Sequence, residues 1–205
     1  MTDPAIYHIT HVDNLPLIVS DGRLWSDAQR IARGLPNTNI GYSHIKERRM
    51  KRPVLVSAGG TLGQYVPFNF CPRSVMLYVV SQGHENYSGG QKPIVHLVSS
   101  VQTAIATGRP WFFTDRHADL GYAQQIGSLG GLDKVDWQVM PLRQWGGNTE
   151  IKEKRQAEFL LHDCCPWTAI TAIGVINDTI AQQVINILAA VDHKPQVTVQ
   201  RDWYY

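Results

Sequence analysis

Cysteine is scarce in this chain, and so is charge. Three cysteines occur among 205 residues, Cys71, Cys164 and Cys165. An odd count with one adjacent pair excludes a disulfide framework and offers no zinc spacing, so reduced thiols are expected. Charged residues make up 18% of the chain, below the usual ~25%, which excludes a disordered or polyionic protein. Lysine and arginine outnumber aspartate and glutamate by only 19 to 17. That balance does not announce a nucleic-acid binder, so any basic surface has to be local. No stretch approaches the ~20 apolar residues of a membrane span. The opening MTDPAIYHIT has no charged region followed by an apolar run, so no signal peptide is read there. No membrane segment and a cytoplasmic location are the expectations. GxSxG, HExxH, P-loop and dinucleotide fingerprints are all missing, which argues against serine hydrolase, zincin, kinase and Rossmann chemistry and against a metal.

What is present suits one compact domain over residues 1–205, with 43% hydrophobic residues to fill a core. YHIT (7–10) reads as a first strand. Asp13 is a candidate helix cap, with Pro16 in the first turn and Gly22 as the stop. A short strand follows at 23–25, then a loop around a short helix over 26–42. HIKERRMKR (44–52) is helix-compatible and strongly basic. QYVPFNF (64–70) reads as a strand whose Pro67 favours an edge or a bulge. SVMLYVV (74–80) fits a buried helix or strand, and IVHLVSS a buried strand. A short helix follows, with Ser100 as cap and Gly108 as stop, and then the strand PWFFTD. Residues 116–150 are polar and glycine-rich with weak periodicity, the pattern of a lid or binding loop. AITAIGVIN (169–177) predicts a strand, 178–191 an amphipathic helix beginning near Asp178, and VTVQRDWYY a final strand. Many strands with interspersed short helices make this an α+β chain.

Two segments invite a chemical reading. Lys46, Arg48, Arg49, Lys51 and Arg52 are five cations within seven residues. On a helix Arg48 and Arg52 share a face and Arg49 points elsewhere. The run is either a solvated helix face or a phosphate-contacting surface. In KRQAEFLLHDCC (154–165), strand alternation sets Gln156, Glu158, Leu160 and His162 against Ala157, Phe159 and Leu161. A carboxylate there marks either an edge or solvent-facing strand, or a strand that ends in a cleft. His8 and Thr10 share a strand face. Trp111, Phe112, Tyr122, Trp137 and Trp145 are core residues or, beside cations, stacking surfaces for bases.

In chain order, IYHITHVDNL, HIKERR, GGTLGQYVPFNFCPRSVMLYVV, FTDRH, KRQAEFL and the terminal DWYY resemble the DarT family of DNA ADP-ribosyltransferase toxins, from about residue 6 to residue 205. The resemblance implies an ADP-ribosyltransferase-like fold: a split, twisted β core with surrounding short helices and an NAD cleft. It implies transfer of ADP-ribose from NAD, as co-substrate and with no metal, onto a base of single-stranded DNA in a sequence-specific way. Thymine is the base in the branch most resembled, and guanine in a related one. The implied partner is a macrodomain antitoxin that reverses the mark. Carried over residue by residue, Glu158 and Arg49 are catalytic. His8, Thr10, Asn14, Met76 and Tyr78 belong to the NAD site. Arg48, His44, His117, Arg73 and Trp145 are DNA contacts, with the target sequence read by the 118–150 loop. The alternatives are an ADP-ribosyltransferase acting on guanine, RNA or protein, and a non-enzymatic nucleic-acid binder using the basic helix and loop tryptophans.

Overall fold

The computed structural model describes residues 3–205. Met1 and Thr2, part of the stretch read as lacking a leader and of the 1–205 domain, lie outside the described residues. Among the described residues the strands form one eight-stranded sheet and a two-stranded ribbon.

The eight-stranded sheet has two halves. One is built on β1 (Ala5–His11), which pairs antiparallel with β4 (Ile94–Ser100) along its whole length, from Ala5 opposite Ser100 to His11 opposite Ile94. Beyond β4 lie β9 (Ala172–Val175) and, parallel to it, β10 (Gln196–Val199). The other half is built on β7 (Ala157–His162), which lies between β3 (Tyr65–Asn69) and β5 (Trp111–His117). β6 (Gln125–Ile126) adds a short edge beside β5.

The halves meet at one residue pair, Tyr7 opposite Asn69. Past it β1 and β3 part, and the sheet is split. Pro67 marks the seam. Its carbonyl faces β1, where it accepts from His8 Nδ1 at 2.8 Å. An extended residue points its N–H and C=O the same way, so the donor that proline lacks is one the open side has no use for. The expected edge or bulge at Pro67 is instead an internal gap between two strands.

β7 is an interior strand, which corrects the edge reading. Phe159 and Leu161 enter the main core with Ile6, Val66, Phe68 and Ile173, while Leu160 enters a smaller core with Tyr65 and Phe112. Both faces are dry up to Leu161, so Glu158 stands among buried neighbours.

Around the sheet lie α1 (Leu15–Ser20), α2 (Asp27–Ala32), α3 (Ser43–Arg49), α4 (Val75–Gln82), α5 (Val101–Ile105), α6 (Thr149–Lys154) and α7 (Asp178–Leu188). The ribbon pairs β2 (Arg23–Trp25) with β8 (Cys164–Pro166). Ser100 caps α5 by accepting from Thr103 N–H at 3.1 Å, and Gly108 ends that segment at φ 72°. Three local expectations shift. Asp13 lies in a 3-10 turn before α1 and caps nothing. Asn177, not Asp178, caps α7 through Ile180 N–H at 3.0 Å. The last strand stops at Val199, and Arg201–Trp203 form a 3-10 turn that brings Tyr204 into a core with Ile9 and Leu77.

Candidate active site

The parted strands open a cleft of about 270 Å³. β1 lends it His8 and Thr10, β3 lends Pro67 and Asn69, and β7 lends Glu158, with Gln156 just before the strand. Each pair is two residues apart, the spacing that returns to one face of a strand.

Glu158 is the cleft's buried acid, 7% exposed at its side chain. It is held from three directions. Arg49, at the end of α3, donates from Nη1 to Oε1 at 3.0 Å. Ala118 N–H donates to the same oxygen at 3.2 Å. The Glu158 backbone N–H donates to Thr114 Oγ1 at 3.2 Å. The last two depend on an irregularity in β5, where the step from Phe113 to His117 spans only Phe159 to Ala157 on β7. Such a bulge re-aims the chain, and here it turns the peptide after His117 onto the carboxylate. The other oxygen differs. Oε2 lies 2.9 Å from Arg49 Nη2, yet neither atom has an aligned hydrogen-bond partner. Oε2 therefore keeps accepting capacity inside the cleft.

Burial alone would raise the Glu158 pKa. The Arg49 guanidinium, then His117 and the Ala118 N–H, outweigh it, and the net shift is downward. Glu158 is thus an anion at neutral pH, and Arg49 is held even more firmly as a cation by the same pairing. Burial, against the pull of Glu158, lowers the pKa of His117 and keeps its ring neutral. His8 is likewise held neutral by burial, against a hydrogen bond to the Pro67 carbonyl. That carbonyl only accepts, so His8 Nδ1 carries the proton and Nε2 is left as an acceptor.

The structure brings Glu158, Arg49, His8, Thr10, Asn14, Met76 and His117 together at this cleft. Asn14 is a staple: its amide donates to Thr10 Oγ1 (3.1 Å) and the Thr38 carbonyl (3.0 Å), and its oxygen accepts from Thr38 N–H at 2.7 Å. It fixes the 36–39 segment across the cleft wall. Arg48 lies just outside, held by Asp119. His44 is exposed, 4.0 Å from Glu85. Tyr78, Arg73 and Trp145 form a separate cluster away from the cleft wall. Tyr78 meets Trp145 and Tyr205 edge-on, and Arg73 lies over the Tyr205 ring while donating to the Tyr204 carbonyl at 2.7 Å.

Several cleft residues had no signal in the sequence. Asp27 is paired with Lys46 at 3.2 Å, and its pKa is lowered as the Lys46 ammonium overcomes burial. The Tyr42 ring packs at a tilt against His84, and Trp25 lies under the Arg33 guanidinium. Tyr42 lies in an aperiodic stretch, and Asp27 only begins a short helix. Gln156 was legible, since it shares the Glu158 face. Among the described residues, no group of three His, Cys, Asp or Glu side chains is placed to hold a metal.

The family profile described as "ssDNA thymidine ADP-ribosyltransferase, DarT" matches residues 7–205. The DNA ADP-ribosyl transferase of Thermus sp. strain 2.9 is 42% identical over 202 residues, covering 98% of this chain and 95% of that one. A Mycobacterium tuberculosis protein of the same name is 32% identical over 213 residues, covering 99% and 90%. Among solved structures, Thermus sp. 2.9 DarT in complex with ADP-ribosylated ssDNA superimposes with a TM-score of 0.94 at 41% identity, covering 99% of this chain and 97% of that one. The same protein in complex with NAD+ gives 0.89 at 38%, covering 100% and 99%. Profile, relatives and fold converge over nearly the full described length, and this chain belongs to the DarT family of DNA ADP-ribosyltransferases.

Proposed function

We propose that this chain transfers ADP-ribose from NAD onto thymine in single-stranded DNA, within a short sequence context. The observation that carries the reading is the Arg49–Glu158 pair on the cleft floor, with Oε2 lacking an aligned donor. As the bond from ribose C1′ to nicotinamide breaks, nicotinamide leaves with the electron pair and positive charge develops on the sugar. An ionised carboxylate in a water-poor cleft stabilises that charge, and Oε2 is free to accept from a ribose hydroxyl. One such positioned charge contributes roughly 3–4 kcal/mol, or 10²–10³ in rate.

The acceptor is an imide nitrogen, which attacks once its proton leaves. Glu158 takes that proton as the new N–C bond forms and passes it to solvent, so the products are nicotinamide, ADP-ribosylated base and one proton. Base catalysis of this kind adds roughly 10²–10⁴. Arg49 orients the carboxylate and stands where the incoming base edge has to pass. A single-stranded acceptor removes the cost of extracting a base from a duplex. His8, Thr10, Asn14 and Met76 line the part of the cleft assigned to NAD. Tyr78, outside the cleft lining, is assigned to NAD as well, while His117, and outside the cleft Arg48, His44, Arg73 and Trp145, are assigned to the DNA strand.

The wider reading is a toxin whose partner is a macrodomain antitoxin that removes the mark, supported by family membership. It requires a compartment holding both NAD and single-stranded DNA, the cytoplasm. Among the described residues no helix is long and apolar enough to cross a membrane.

Mass spectrometry of oligonucleotides incubated with NAD tests the reading. A thymine-containing single strand gains one ADP-ribose unit and its thymine-free counterpart gains none. Modification of a guanine-only strand would move the acceptor to guanine. Labelling of RNA or protein alone would move it away from DNA.

A further inference from the structure

The basic run that looked like a phosphate-binding face is neutralised from within. Lys46 pairs with Asp27 at 3.2 Å and Arg49 with Glu158. Arg48 and Arg52, on the shared face, converge on Asp119. Arg48 Nε donates to Asp119 Oδ2 at 2.7 Å. Arg52 Nη2 donates to the Asp119 carbonyl at 2.7 Å, and its Nε lies 3.8 Å from Oδ1. Among the described residues Lys51 is the cation of the run with no acidic partner within ion-pair distance.

The burial of the partners is unequal. The Asp119 side chain is 4% exposed, while Arg48 is 55% and Arg52 36% exposed. A buried acid thus holds two arginines whose outer parts reach solvent beside the cleft. The residue before it, Ala118, supplies the N–H that holds Glu158 Oε1. One dipeptide therefore fixes both the catalytic acid and the helix that carries Arg49.

We propose that Asp119 is a positioning residue, acting through Arg48 and Arg52, that limits how tightly the acceptor strand is held. Its carboxylate occupies the arginines that would otherwise neutralise DNA phosphates. The inference rests on the single-stranded DNA reading above. Each phosphate neutralised releases a counterion, so affinity for a single strand falls with salt by about 0.7 in log–log slope per contact. Two arginines held by an internal acid are two contacts withheld. The enzyme then samples strands by transient encounters, as suits a catalyst that must leave each modified site.

The test is binding of a fluorescent thymine-containing oligonucleotide across a salt series. Asp119→Asn keeps the shape and an oxygen acceptor but removes the charge. It is expected to bind several-fold to about 10-fold more tightly at low salt, with a slope steeper by about 0.7–1.4. Adding Arg52→Gln to that variant removes about half of the gain in slope. Arg52→Gln in the otherwise native chain is informative even if Asp119→Asn folds poorly. Because Arg52 is already held by Asp119, its loss changes affinity less than about 2-fold and leaves the slope unchanged. A folded Asp119→Asn with native affinity and slope overturns the proposal, as does a large loss of affinity and slope in Arg52→Gln alone. If the native protein neither binds nor modifies any oligonucleotide, the DNA reading itself falls, and the proposal with it. A purely structural role for Asp119 predicts weaker binding and no steeper slope.

Discussion

Two guanidinium groups are buried near the start of β7, that of Arg49 on Glu158 and that of Arg155 just before the strand, and they meet different partners. Arg49 crosses the cleft to the carboxylate of Glu158. Arg155, three positions earlier in the chain and 0% exposed, has no carboxylate within ion-pair distance among the described residues. Its Nη1 donates to the carbonyls of Val139 and Met140 at 2.5 and 2.7 Å, and its Nη2 to the carbonyl of Arg73 at 2.8 Å. Carbonyl dipoles neither titrate nor leave. Arg155 thus ties the end of the long loop to the turn before α4, and it also reaches Cys71 Sγ at 3.7 Å and lies over the Trp145 ring. Arg49 holds a carboxylate that lines the cleft and whose Oε2 has no aligned donor. The difference lies in the partner: Arg155 is held by fixed carbonyl dipoles, although its Nε has no partner, whereas Arg49 is paired with an acid that lines the cleft.

The sharpest way to break the comparison is at its working end. Glu158→Gln keeps the volume and removes the charge. ADP-ribose transfer from labelled NAD is expected to fall at least 10²–10³-fold, roughly the worth of one positioned transition-state charge. The variant stays folded by circular dichroism, because the carboxamide can still bond Arg49 and Ala118. Near-native turnover in a folded Glu158→Gln would erase the distinction between the two arginines.

At the structural end, Arg155→Met strips three carbonyls of their donor inside the core. The loss is expected to be roughly 3–5 kcal/mol in urea unfolding, or about 10 °C in melting temperature for a chain of this size. Undiminished stability would mean that the carbonyls find other donors and that the clamp is dispensable.

A smaller effect sharpens the contrast through pH. His96, buried in β4, donates from Nε2 to the Pro72 carbonyl at 3.0 Å. Burial lowers its pKa from 6.5 to about 4. The unfolded chain therefore takes up a proton first as pH falls. Stability that is complete above about pH 6.5 is lost progressively down to about pH 4, in total roughly 3 kcal/mol. The Glu158 pKa is lowered from 4.5, chiefly by the Arg49 guanidinium working against burial, so its pairing with Arg49 outlasts that of an ordinary carboxylate as pH falls. Urea midpoints between pH 7 and 4 measure the decline, and His96→Gln should flatten it. A decline of the same size in that variant would place the acid sensitivity elsewhere.

Much of the fold was legible because its signals are local. Ser100 and Gly108 bracket a helix, IVHLVSS is apolar enough to be buried on both faces, and the alternation in QAEFLL sets Glu158 apart from Phe159. The errors came where a local rule met a tertiary exception. Pro67 reads as an edge residue, yet it sits at an internal seam whose open side needs no donor. The five cations read as one exposed patch, yet four of them are drawn onto acids from distant segments.

By itself the sequence determined where most strands and helices lie, and that an acid stands inside an apolar strand. It could do so because periodicity and capping act between residues a few positions apart. Only the tertiary structure decided what that acid faces. Arg49 lies 109 residues before Glu158, and Arg48 lies 71 before Asp119. No pattern along the chain encodes such pairings. They arise when β1 and β3 part after a single shared pair and a bulge in β5 turns a peptide N–H toward the gap.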